Sequence, residues 1–147
     1  VIRRRQIPFK SEGGITTIPL EFATNDGKLL LLLPAPITEL KVGVPAKVKS
    51  GETFVLEVKV NAKARLPLEI EVLDAKGRKT DDSAFAAAAA GEYKQSITVP
   101  LNAEPGRWRI LVRELASGKN ATVSVVVESV LAGTELFRQT VKNKQNK

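Results

Sequence analysis

Pro105-Gly106-Arg107-Trp108-Arg109-Ile110-Leu111-Val112-Arg113-Glu114-Leu115-Ala116-Ser117-Gly118-Lys119-Asn120-Ala121-Thr122-Val123-Ser124-Val125-Val126-Val127 reads as a β-hairpin. Trp108, Ile110 and Val112 share one parity, and Arg107, Arg109 and Arg113 share the other. Successive side chains of a strand point to opposite faces, so this alternation separates a core face from a wetted one. The connector Ala116-Ser117-Gly118-Lys119-Asn120 is rich in turn formers, and Val123, Val125 and Val127 then restore the alternation.

Working outward from the hairpin, the same period recurs at sandwich spacing. Leu40, Val42 and Val44 alternate on a first strand ended by Pro45, and Phe54, Leu56, Val58 and Val60 follow the turn Ser50-Gly51-Glu52. Leu68, Ile70 and Val72 alternate with Glu69 and Glu71, closed by the turn Asp74-Ala75-Lys76-Gly77. Tyr93, Gln95, Ile97 and Val99 share one parity before Pro100. Between them Ala84 to Ala90 counts as a poor strand, because alanine favours helix over sheet; a crossover or a single helical turn is the other reading. Seven short strands between Ile37 and Val127 predict an all-β fold, an immunoglobulin-like (fibronectin-III-like) antiparallel β-sandwich with an N-terminal β extension. The inward set holds close to twenty apolar side chains. Charged outward positions guard the strands against edge-to-edge aggregation.

The flanks differ from this body. Residues 1–36 form a connector in which Ile15 to Phe22 and Lys28 to Leu33 read as a hairpin or a pair of strands about the turn Asn25-Asp26-Gly27. The five leucines Leu29 to Leu33 are apolar on both parities, which predicts a strand covered on both faces. Pro34 and Pro36 make a stiff hinge before the sandwich, residues 37–127. Residues 128–147 are an extension or tail, in which Val130, Leu131, Leu136, Phe137 and Val141 fit neither the helical nor the strand period.

The 147 residues carry a net charge of +7, with no Cys, His or Met. The lack of Met points to a processed or internal piece of a longer polypeptide. Arg3, Arg4, Arg5 and Lys10 at one end and Arg138, Lys142, Lys144 and Lys147 at the other have no acid among them. Removing these eight from the 23 basic residues leaves 15 against 16 acids, so the body is electrically balanced. A nucleic-acid face gathers cations and stacking aromatics on the domain itself, so this distribution argues against nucleic acid as partner. The run Leu29 to Leu33 is too short to span a bilayer, and no transmembrane segment is expected.

Acid–base and nucleophilic catalysis lean on His or Cys, and neither is present. Asp81-Asp82-Ser83 places three oxygen-bearing side chains together, but calcium takes 6–8 oxygen ligands and a solvated loop accounts for them better. Glu69 and Glu71 lie on one strand face and resemble a glycosidase pair only superficially; a wetted strand face with neighbouring lysines explains them better. Trp108 and Tyr93 share parity with core residues and are expected inside rather than on a sugar. Asn120-Ala121-Thr122 matches the N-glycosylation triplet, which recurs by chance. No catalytic, cofactor-binding or metal residue is assigned, and no cofactor is expected.

The order Val44-Pro45, Ser50-Gly51-Glu52, Leu73-Asp74 with Gly77, Gly91-Glu92-Tyr93, Val99-Pro100 and Pro105-Gly106-Arg107-Trp108 resembles the Ig-like accessory domains of large bacterial extracellular and glycoside-hydrolase-associated proteins, macroglobulin-type sandwiches included. The resemblance covers residues 37–127 and brings no catalytic residues with it. It implies a non-catalytic structural or interaction module, outside the cytoplasm, whose partners are neighbouring domains or subunits of a larger assembly. The alternative is a carbohydrate-binding accessory module of a polysaccharide-active enzyme, which would present exposed aromatics in a shallow groove.

Overall fold

The computed structural model describes residues 7–130. The chain divides into two compact units, Val1–Pro34 and Ala35–Lys147.

In the first unit the strands are β1 (Lys10–Glu12) and β2 (Ile15–Thr17), an antiparallel pair in the register Lys10↔Thr17 and Glu12↔Ile15. Gly13 and Gly14, at φ 59° and 78°, form the two-residue loop, since a turn of that hand needs positive φ at both positions. The hairpin expected farther along does not form. Asn25 turns the chain at φ 62°, and Asp26 binds Lys28 beside it instead of a cross-strand neighbour. Leu29 to Leu33 lie outside any strand, and Leu29, Leu31 and Leu32 are exposed. The physical reason is that a run apolar on both parities names no buried face and hence no register, while Pro34 withholds a ladder N–H.

In the second unit β3 (Leu40–Gly43), β5 (Thr53–Val60) and β8 (Glu92–Thr98) form a three-stranded sheet, ordered β3-β5-β8. β4 (Lys47–Lys49), β10 (Asn120–Glu128), β9 (Gly106–Glu114), β6 (Leu66–Leu73) and β7 (Ala84–Ala88) form the other, in that order. Among the described residues this body has eight strands, one more than the seven expected. The addition is β4: after Pro45 the chain leaves the first sheet and runs parallel to β10, with Lys47 beside Val126 and Glu128 beside Lys49. Three residues with the single apolar Val48 carry too little pattern to read.

The Trp108 hairpin forms as expected, with Val125 opposite Trp108, Val123 opposite Ile110 and Ala121 opposite Val112. Trp108, Ile110, Val112, Val125 and Val127 are buried, whereas Arg107, Arg109 and Arg113 are exposed. Leu66, Leu68, Ile70 and Val72 of β6 continue that buried face within the same sheet, and Phe54, Leu56, Val58, Val60 and Ile97 come from the smaller sheet. Eighteen apolar side chains are buried among the described residues, close to the number expected. Two sheets closed over one core, antiparallel but for the β4–β10 pair and with chain crossovers between them, make this an immunoglobulin-like β-sandwich.

The alanine run resolves as a strand, not a helical turn. Leu68 lies opposite Ala86 and Ile70 opposite Ala84, so pairing to a central strand overrides alanine's helical preference. Ala89 and Glu92 then exchange two backbone hydrogen bonds of 2.9 Å around Ala90 and Gly91, at φ 50° and 81°. A Cβ at Gly91 would lie 2.3 Å from the Ala62 carbonyl oxygen, so only glycine fits. Of the C-terminal stretch 128–147, the expectations for Leu131, Leu136, Phe137 and Val141 fall outside the described residues.

Candidate interaction surfaces

The outer faces of the sandwich are charged, and several of the charges are paired. On the smaller sheet Lys94 donates to Glu57 across the β5–β8 pair at 2.6 Å, and the hydroxyls of Thr53 and Thr98 meet at 2.8 Å. The Lys94 hydrogen bond holds the Glu57 carboxyl below its ordinary range and lifts the lysine above its own. On the larger sheet Arg113 donates to Glu69 at 2.8 Å, and Lys79 reaches Glu71 at 3.4 Å. Lys47 and Glu128 pair at 2.8 Å between β4 and β10, raising the one pKa and lowering the other. Exposed pairs of this kind contribute little to stability, because water and salt screen them. Among the described residues their carboxylates do not gather at a common point.

The residues singled out in the sequence sort accordingly. Glu69 and Glu71 each face a cation, Arg113 and Lys79, in a wetted strand face. Ser83 bonds the Val72 backbone through its hydroxyl, at 2.9 Å from the N–H, and the Asp82 carbonyl accepts from Gln95 at 2.7 Å. Burial, and then the Asp81 charge, hold the Asp82 carboxyl above its ordinary range. Among the described residues no three His, Cys, Asp or Glu side chains gather as metal ligands would. Asn120 is exposed at the start of β10. Trp108 is 3% exposed, which removes it as a stacking platform.

Tyr93 departs from expectation. It is half-buried, with its hydroxyl 3.4 Å from Gln95 Oε1, because β8 is an edge strand and its first residues lie at the rim of the core. Phe54 is buried, whereas Phe85 is 76% exposed on β7 and Phe9 and Phe22 are exposed in the first unit. Lys28 lies over the Phe22 ring, 5.1 Å from its centroid. Beside the crossing from β3 to β4 there is a shallow groove of ≈ 610 Å³ with Phe54 and Val48 in its floor. Both acids in its lining are already engaged: Glu52 accepts the Lys49 backbone N–H at 2.8 Å, and Glu57 accepts from Lys94 at 2.6 Å.

One buried polar group escaped the sequence reading. Glu114 continues the parity of Trp108, Ile110 and Val112 and is fully buried. Its carboxylate accepts the Ala116 N–H at 2.7 Å, the Ser117 N–H at 2.6 Å and the Ser117 hydroxyl. It therefore holds the turn between β9 and β10 and substitutes backbone donors for water. A charge at a core parity immediately before a turn was the available signal.

No protein-family model matches this sequence, and no curated protein matches it either. Among solved structures the chain is similar to a superoxide reductase (neelaredoxin) from Ignicoccus hospitalis, at 14% identity and a TM-score of 0.47 over 63% of this chain and 82% of that one. It is also similar to a CARDB domain from Pyrococcus furiosus, solved in complex with di-metal ions, at 18% identity and a TM-score of 0.43 over 71% of this chain and 100% of that one. A PKD domain of an M14-like peptidase from a Thermoplasmatales archaeon matches at 14% identity and a TM-score of 0.41, over 65% and 98% of the two chains. None of these likenesses carries an activity or a ligand over to this chain.

Proposed function

We propose that this chain is a non-catalytic structural module of a larger secreted or cell-surface protein, an Ig-like accessory domain that holds its neighbours apart in line. The observation that carries this reading is where the sandwich receives and releases the chain. Asn61, just past the C-terminal end of β5, binds the incoming backbone through Thr38 N–H at 2.8 Å and Glu39 N–H at 2.7 Å. Ser50, just before the N-terminal end of β5, donates to the Glu128 carbonyl at 2.9 Å, where β10 ends. The two attachment points are thus separated by the eight residues of β5, about 25 Å of strand. A domain with its ends at opposite poles adds length to a chain, whereas adjacent ends would make it a side branch.

The paired surface charges and the burial of Trp108 support the same reading. The burial of Trp108 counts against carbohydrate, since it leaves Phe85 as the one exposed ring among the described sandwich residues, and a sugar platform needs exposed aromatics beside free polar groups. The parallel β4–β10 pair lies in shear when the module is pulled from its ends, and shear loads all its hydrogen bonds together. Single-molecule pulling tests this. End-to-end loading should need more force than loading through the β9–β10 turn, which peels strands one bond at a time. Equal or lower end-to-end force sinks the spacer reading. Saturable binding to a soluble polysaccharide in native affinity electrophoresis would establish the carbohydrate alternative.

A further inference from the structure

Among the described residues the sandwich has four edge strands, and three carry charge. β3 has Lys41, β4 has Lys47 and Lys49, and β8 has Glu92 and Lys94. Charges on an edge deter pairing with another chain. β7 is the exception: Ala84-Phe85-Ala86-Ala87-Ala88 has no charge and no proline. Among the described residues its backbone pairs only with β6, which leaves its other side open. It also carries Phe85, at 76% the most exposed large apolar side chain described in the second unit.

We propose that β7 is a docking edge for a second copy of this chain, in an antiparallel β7–β7 pair about a two-fold axis. The strand is its own complement. Full overlap of its five residues puts Ala86 opposite Ala86 of the partner subunit, and Phe85 opposite the small Ala87 of the partner subunit. Each ring then covers the gap above the facing methyl, twice by symmetry. On the inner face the rows become Leu68, Ala86 and their symmetry mates, apolar throughout, since Leu68 lies opposite Ala86 within the sheet.

Charge selects the direction. Asp81 and Asp82 precede the strand, and Ala89, Ala90 and Gly91 follow it. Antiparallel pairing sets the two acids against the uncharged stretch of the partner subunit, whereas parallel pairing would set acids against acids. A five-residue ladder is smaller than a standard interface, so the dimer is a weak one, with a Kd on the order of 100 µM.

Sedimentation velocity on the full chain, from about 10 µM to 1 mM, reads this directly. Wild type should shift from monomer to dimer across that range. The double substitution Phe85→Lys/Ala87→Lys places lysine opposite lysine twice and should weaken the dimer at least about tenfold. Both side chains lie on the outer face, so an unchanged unfolding midpoint certifies the fold. Mixing this variant with Phe85→Glu/Ala87→Glu should restore association, because each lysine then faces a glutamate across the pair. A wild-type chain that stays monomeric to about 1 mM overturns the proposal. So does a dimer that ignores the lysine pair, or one that Leu31→Lys dissolves instead.

Discussion

Trp108–Val112 and Leu29–Leu33 are both apolar five-residue neighbourhoods, yet one is buried and the other stands in water. Trp108, Ile110 and Val112 are buried, while Leu29 is 99% exposed. The difference is patterning. Arg109 and Arg113 assign the second face of β9 to solvent, which leaves a single register that buries the first. Five leucines offer no such choice between faces. Hydrophobicity supplies the drive for burial, and alternation supplies the address.

Substitutions on the two sides of this comparison should separate sharply. Trp108→Ala should cost about 3–5 kcal/mol in urea unfolding of the sandwich. Trp108→Phe should cost far less, because the indole N–H has no hydrogen-bond partner to lose. Leu31→Ser should stay within about 0.5 kcal/mol, as an exposed side chain outside a strand. A large loss for Leu31→Ser would break the contrast.

The next largest effects concern the loops between strands. Gly91→Ala drives a Cβ into the Ala62 and Val60 carbonyl oxygens, 2.3 and 2.5 Å away, and should cost more than about 2 kcal/mol. Gly13→Ala meets nothing within 4 Å and has only its positive φ to bear, so the sandwich transition should not move. Glu114→Ala, which leaves two backbone N–H groups unpaired at the β9–β10 turn, should cost about 1–3 kcal/mol. Beside Gly91, Ala90→Gly should stabilise by about 0.5–1 kcal/mol, since an alanine at φ 50° is strained. Thermal melting checks both signs.

The smallest effect is that of pH. Glu57, Asp74 and Glu128 are held below their ordinary values of 4.5, 3.8 and 4.5 by Lys94, by the Arg78 N–H and guanidinium, and by Lys47. Their stabilisation is complete above the unfolded values and is lost as pH falls through the lower folded ones. Asp82, raised by burial, acts oppositely: its contribution is present below 3.8 and lost as pH rises through its folded value. Stability should therefore decline gently below about pH 4.5, and Glu57→Gln with Glu128→Gln should flatten that slope. An unchanged slope would mean these exposed pairs carry no linkage.

Legibility followed the length of each pattern. Phe54 to Val60 and Leu66 to Leu73 run eight residues each, long enough for alternation to name both strand and buried face. β4 has three residues, and its pairing to β10 is a contact between positions 47–49 and 126–128 that no local period announces. The Gly13-Gly14 dipeptide and Asn25-Asp26-Gly27 are both turn signals, yet only the first joins two paired strands, because a turn dipeptide does not say which flanking segments will pair. Of the surfaces, the inward place of Trp108 was legible from parity. The uncharged edge of β7 was not, because edge and centre are properties of a sheet, not of a strand.

By itself the sequence determined which residues face inward along each long strand, since a period of two is built into extended backbone. It also determined the turns that only glycine permits. Strand order, the switch of β4 between sheets, the half-exposure of Tyr93 and the conversion of an alanine run into an edge strand were decided by tertiary structure. Each depends on which distant segment lies alongside, and alanine, tyrosine and a lone valine accept whatever neighbour the rest of the fold provides.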